Sequence, residues 1–340
     1  MSRSTPRTMS FVISFAMSPG LRPGLFDDAA MRRLAALGTV RTEVIDDLSR
    51  PEARAALRDT HVLVTGWGSP LLDPAALAAS RLQAVVHAGG TVKNHLSDEF
   101  WDSGIAVSSA ADANAVPVAE YTVAQVLLAN KELDAMRAAY RSERTTADWH
   151  TRFPAAGNYR RTVGVVGASR IGRRVLALLA AFDLDLLLHD PHVDDETARR
   201  LGARRVTLDE IFRESDVVTL HAPDLPETRH LADARRLALM RPGAVLINTA
   251  RGGLVDTAAL TEAVVSGRVR AVLDVTEPEI LPADSPLYDH PGVVLTPHVA
   301  GSVGGELRRL GDAAVDEVDS WIRTGMFRTP VHPETLAITA

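Results

Sequence analysis

The chain has 340 residues, 46% of them hydrophobic and 24% charged, with a net charge of −6 and no cysteine. Its length exceeds one ordinary core and points to two domains. The acidic balance, without a dense Lys/Arg stripe, argues against a nucleic-acid partner, and the missing cysteines exclude disulfides, thiolate metal sites and a cysteine nucleophile.

Arg3 and Arg7 precede the apolar run Phe11–Met17, but Ser14 interrupts it and Ser18-Pro19-Gly20 follows. A first β-strand after a frayed tail is therefore expected, not a signal peptide. No stretch approaches a membrane span, so the expected location is the cytoplasm, with no membrane partner. Short apolar runs at Phe11–Phe15, Val62–Thr65, Ala84–His87 and Ile105–Ser108 read as buried strands, with helices at Leu25–Leu37 and Pro51–Leu57 between them. After Pro117 a longer helix is expected over Val118–Arg141, then a polar stretch carrying Trp149, Phe153, Pro154 and Tyr159. A second series of strands follows at Thr162–Val166, Leu184–His189, Asp216–Leu220, Ala244–Asn248, Arg270–Val275 and Val293–Leu295, before a final helix near Gly304–Arg323. Strand–helix alternation at this pace means parallel sheets with right-handed crossovers. The expected fold is α/β with two doubly wound parallel-sheet domains. Residues 1–116 form one, with 306–340 returning to it, and 117–305 form the other.

The second series opens on Thr162–Val166, then Gly167, Ala168, Ser169, Arg170, Ile171 and Gly172, with a helical run from Arg173. Strand Leu184–His189 then ends at Asp190. Strand, glycine turn, helix and acidic strand end are the context of a dinucleotide fingerprint. The turn and the helix N-terminus suit a pyrophosphate, and Asp190 suits ribose hydroxyls. Ser169 replaces the middle glycine, where it can either hydrogen-bond a phosphate oxygen or crowd it. A 2′-phosphate roughly 4 Å from Asp190 would be repelled by several kcal/mol at an effective dielectric of ~20, so NAD is the expected cofactor.

Three polar clusters follow predicted strands: Thr249-Ala250-Arg251-Gly252-Gly253-Leu254-Val255-Asp256, Asp274-Val275-Thr276-Glu277-Pro278-Glu279 and Thr296-Pro297-His298-Val299-Ala300-Gly301-Ser302. With VGVVGASRIGRRV, LHAPDLPETRHL and Pro117-Val118-Ala119-Glu120-Tyr121, they make the chain resemble the D-isomer-specific 2-hydroxyacid dehydrogenases over roughly residues 84 to 305. That group includes glyoxylate/hydroxypyruvate reductases and phosphoglycerate dehydrogenases. The resemblance implies a Rossmann NAD-binding domain, a flavodoxin-like substrate domain, a small 2-hydroxy or 2-keto acid substrate and a homodimer. It implies that Arg251 clamps the substrate carboxylate, that His298 exchanges a proton with the keto oxygen, and that Glu279 partners His298, with Glu277 close by. It further places Asp274 near the nicotinamide amide and His221-Ala222-Pro223 along the adenosine side, with Thr228, Thr249 and Ala250 as secondary cofactor contacts.

Many relatives carry Ala-Gly-x-Gly-Val-Asp-Asn in the substrate loop, where this chain has Ala88-Gly89-Gly90-Thr91-Val92-Lys93-Asn94. Backbone N–H groups at Gly89, Gly90 and Thr91 remain able to hold a carboxylate. Trp67, between two glycines, either walls the substrate pocket or fills a core. Phosphite oxidation on the same fold and a non-catalytic NAD(H)-sensing protein are the alternative readings. Formate oxidation is disfavoured, because the formate dehydrogenases of the group pair the histidine with glutamine.

Overall fold

The computed structural model describes residues 11–336. The expected tail with Arg3 and Arg7 lies outside the described residues, as does the end of the chain after Leu336. The chain splits into two compact units, one running up to Asn114 and resuming at Ser302, the other spanning Ala115–Gly301.

The first unit holds a parallel sheet of β1 (Phe11–Ala16), β2 (Gly38–Ile45), β3 (Val62–Thr65), β4 (Ala84–His87) and β5 (Ala106–Ser109), in the order β2-β1-β3-β4-β5. This is the flavodoxin-like strand order. β3 and β4 are buried along their whole length, as expected of central parallel strands covered on both faces. The helix Leu307–Thr324 packs on this sheet's core through Leu310, Ala314, Val315 and Val318.

The second unit carries β6 (Arg161–Val166), β7 (Leu184–His189), β8 (Arg204–Arg205), β9 (Val217–Leu220), β10 (Val245–Asn248), β11 (Arg270–Leu273) and β12 (Val293–Leu295). Their order is β12-β11-β10-β9-β6-β7-β8, the doubly wound Rossmann arrangement extended by one strand. Every pair is parallel, so the loops after β6, β9, β10, β11 and β12 leave from one edge. Order reverses around β6, where open α/β sheets bind ligands.

Several elements differ from expectation. β2 and β8 went unpredicted because both lie at sheet edges, where the apolar run of a central strand is not required. The helix expected over Leu25–Leu37 is broken at Asp27, whose carboxylate accepts from the Ala30 N–H at 2.8 Å and caps a new helix, Asp28–Ala35. The long helix starts at Ala111, ahead of Pro117, and stops at Asn130. A second helix, Leu133–Glu143, follows after Glu132 takes a left-handed conformation (φ 52°). Pro117 forfeits one backbone bond inside a helix whose buried face includes Ala115, Val118, Ala119 and Val126. A 3-10 turn at Gly304–Glu306 precedes the final long helix.

Candidate active site

β6 runs into Gly167, whose φ of +95° belongs to the left-handed region; a Cβ there would stand 2.7 Å from the Ala222 nitrogen. A Cβ on Gly172 would meet the Gly167 carbonyl oxygen at 2.0 Å, so helix and turn pack at a distance only glycine allows. The helix Arg170–Leu179 begins at Arg170 and not at Arg173, because Ser169 caps it: the Ser169 hydroxyl accepts from the Gly172 N–H at 3.3 Å. Serine at the middle-glycine position thus has a local role. Arg170 and Ile171 form the first helical turn, where the dipole favours an anion.

Asp190 braces the same turn. Its oxygens accept from the Ala168 and His192 N–H groups, each at 2.7 Å. His221 is buried against the glycine turn, with Nε2 2.9 Å from the Thr219 hydroxyl and Nδ1 without a partner. Burial lowers its pKa to about 3, so the ring is neutral. The Thr228 hydroxyl donates to the Pro223 carbonyl at 2.6 Å and closes its own turn. A turn without Cβ atoms at Gly167 and Gly172, a helix N-terminus and an unpartnered buried nitrogen fit a dinucleotide pyrophosphate.

The loops after β10, β11 and β12 carry the titratable groups. Asn248, at the end of β10, donates from Nδ2 to the Arg251 carbonyl at 2.8 Å and accepts from the Ala250 N–H at 3.1 Å. It sets the turn that presents Arg251, a role the sequence reading missed although LINTARGG contains it. Thr249 joins Thr122 by a 3.0 Å hydroxyl contact. Arg251 donates from Nη1 to the Ala250 carbonyl. Burial lowers its pKa from the usual value, while the carboxylates of Asp224 and then Glu279 oppose that shift. Asp224, also unpredicted, lies over Gly253, with an oxygen 2.6 Å from where a Cβ would be.

His298 Nδ1 stands 2.7 Å from Glu279 Oε1. Glu277 instead meets Arg229 Nη2 with both oxygens, at 3.0 and 2.9 Å, so the two neighbouring acids have separate partners. A carboxylate only accepts, so the His298 proton sits on Nδ1, which leaves Nε2 outside that contact. His298 itself has φ +55°. Asp274, only 2% exposed and expected beside the nicotinamide amide, holds the His298 loop: it accepts from Val299 N–H at 2.8 Å, Ala300 N–H at 2.9 Å and the Thr296 hydroxyl at 2.7 Å.

Gly89, Gly90, Thr91 and Trp67 belong to the first unit. Among the described residues, no partner takes the backbone N–H of Gly89, Gly90 or Thr91. Under the loop lies buried His87, with Nδ1 2.9 Å from the Thr65 hydroxyl and Nε2 unpartnered, 2.5 Å from where a Gly89 Cβ would stand. Burial, and then neighbouring His95, lower its pKa to about 3. Trp67 is 38% exposed and therefore not a core aromatic. Among the described residues no group of His, Asp and Glu could hold a metal ion, and no helix is long and apolar enough to cross a membrane.

Fold and site together define a two-unit α/β protein with a dinucleotide cradle and an Arg/His/Glu constellation at one sheet edge. Residues 123–300 match the model of the D-isomer specific 2-hydroxyacid dehydrogenase NAD-binding domain, and the chain belongs to that family. The matched segment is its NAD-binding domain.

D-3-phosphoglycerate dehydrogenases of Methanocaldococcus jannaschii and Mycobacterium tuberculosis are 32% and 35% identical over 297 residues, which is 86% of this chain and 55% of each relative. The chain spans about half the length of the curated relatives it matches. Among solved structures, the D-lactate dehydrogenase of Aquifex aeolicus, complexed with NAD and lactic acid, is 26% identical with a TM-score of 0.70, covering 93% of this chain and 98% of that one. The TT0316 protein of Thermus thermophilus is 29% identical with a TM-score of 0.74, covering 95% and 100%.

Proposed function

We propose that this protein is an NAD-dependent oxidoreductase that interconverts a small D-2-hydroxy acid and its 2-keto acid. The observation that carries this reading is the 2.7 Å His298–Glu279 pair at the sheet edge that also presents Arg251. Bound NADH supplies the hydride. Arg251 clamps the substrate carboxylate with a planar fork of donors and polarises the keto oxygen. As imidazolium, His298 donates the Nε2 proton to that oxygen during reduction. As neutral imidazole it takes the proton back during oxidation, with Glu279 stabilising the charged form. In the first unit, Gly89, Gly90 and Thr91 offer backbone N–H donors suited to a carboxylate, and Trp67 is the candidate wall of a substrate pocket.

On the cofactor side, the glycine turn and the Ser169–Gly172 segment, Asp190, His221-Ala222-Pro223, Thr228, Thr249 and Ala250 line the dinucleotide. Asp190 at the end of β7 favours NADH over NADPH. A homodimer is supported by the outward aromatic surface of the second unit, where Tyr140 and Tyr159 are exposed and Trp149 stacks on Phe153. Light scattering at micromolar concentration checks it, and a monomer mass rejects it.

The test of function is NADH oxidation with pyruvate, glyoxylate, hydroxypyruvate and 3-phosphohydroxypyruvate, beside phosphite with NAD. Turnover of at least one keto acid is expected. Tight NADH binding without any turnover would identify a sensor, and phosphite-dependent NAD reduction alone would reassign the reaction.

A further inference from the structure

His298 occupies a backbone region that a non-glycine residue adopts only when its surroundings hold it there. Asp274 is the holding group on both sides. The Asp274 carbonyl accepts the His298 N–H at 2.9 Å, and its carboxylate takes the next two N–H groups, of Val299 and Ala300. A further donor to that carboxylate is the Thr296 hydroxyl at 2.7 Å. Thr296 Oγ1 is in turn 3.0 Å from the Tyr121 hydroxyl. Because the carboxylate only accepts, Thr296 spends its one proton on Asp274 and must accept the proton of Tyr121. Donation therefore runs one way, from Tyr121 to Thr296 to Asp274.

Tyr121 lies on the helix Ala111–Asn130, in the half that belongs to the second unit. It is half-buried, and burial first, with the charge of Asp274 adding to it, raises its pKa, which keeps it a donor.

We infer that Tyr121 and Thr296 are positioning residues for His298. By hydrogen-bonding to Asp274, Thr296 directly and Tyr121 through Thr296, they fix the carboxylate that fixes the loop. This aims His298 at the reacting oxygen and keeps its Nδ1 on Glu279. The inference rests on the acid–base role proposed for His298, and neither residue touches substrate in it.

The experiment uses Tyr121→Phe, Thr296→Val, the double variant and Thr296→Ser in the full chain. Tyr121→Phe deletes one hydroxyl without removing the ring. It is expected to lower kcat for keto-acid reduction about three- to tenfold, the range of a single hydrogen bond, with KM and NADH affinity changed less than about twofold. Thr296→Val is expected to lower kcat further. The double variant should be no slower than Thr296→Val alone, because Tyr121 acts only through Thr296, and Thr296→Ser should restore the rate to within about twofold of the parent. The alkaline limb of the rate profile moves to lower pH in Tyr121→Phe and Thr296→Val as the Glu279 contact loosens.

A second readout, the imidazole NMR titration of His298 in protein free of cofactor and substrate, needs no turnover. It should move in the same direction, with His298→Asn identifying the resonance. Multiplicative losses in the double variant, or an unmoved His298 titration in Tyr121→Phe, would overturn the relay. Absence of turnover in the parent with a moved titration would instead sink the proposed reaction and leave the relay standing.

Discussion

The two units share an architecture and a small device, and differ in what they add to it. Each has a parallel sheet, and each puts a histidine at the carboxyl end of a central strand: His87 closes β4, and His221 follows β9. Each ring bonds a threonine hydroxyl, leaves its other nitrogen unpartnered, and is held neutral by burial. Each also lies against a glycine segment, Gly89 in the first unit and Gly167 with Gly172 in the second. Beyond that they diverge. The second unit adds Arg251, Asp224, Glu279, His298 and the buried carboxylate of Asp274, whereas the first offers neutral rings and free backbone donors. The edge of a parallel sheet says where a ligand goes, and the charged residues placed there decide what chemistry is done.

The largest break in this comparison should come from His298→Ala, which removes the group proposed to exchange the proton. A loss of about 10²–10⁴ in kcat is expected, with NADH affinity retained, as read by steady-state rates and cofactor fluorescence. A loss below about threefold would move the chemistry elsewhere.

Next come the two neutral histidines, which should behave alike although only one unit is charged. Both have folded pKa values near 3 against an ordinary 6.5. Between those values the unfolded chain binds protons that the folded chain refuses. Stability is therefore full above about pH 6.5 and is lost as pH falls toward 3. At pH 5 each ring accounts for about 2 kcal/mol of that loss. Urea midpoints at pH 7 and pH 5 measure it, and His87→Gln and His221→Gln should each flatten the dependence.

Smaller still is the effect of Glu279→Gln. It should lower kcat about tenfold and bring on the alkaline fall of reduction at a lower pH, since the imidazolium loses its neighbouring charge. Glu277→Gln, which removes the charge that faces Arg229 and His230, should leave the pH profile in place. The reverse result would show that the register of the loop is wrong.

The smallest change expected is from Asp224→Asn. Removing a carboxylate that competes for Arg251 should lower keto-acid KM about two- to threefold at constant kcat, an advantage that disappears in high salt.

Read from residues alone, the alternating apolar runs placed the central strands of both sheets, because a strand buried on both faces has to be continuously apolar. The glycine turn, Asp190 and the order of Arg251, Glu279 and His298 were likewise legible, since each is tied to a short local motif. Edge strands β2 and β8 were not, because one edge of each faces solvent and tolerates polar residues. Nor could sequence reveal that Ser169 caps a helix, or that Arg229 takes up Glu277. Asn248, Asp224, Tyr121 and Thr296 escaped because their partners are set by hydrogen bonds and close packing between loops. Those contacts exist only once the parallel strands have brought distant segments to a common edge. Periodicity and local motifs determined the architecture and the positions of the candidate groups; tertiary packing alone decided which neighbour holds each of them in place.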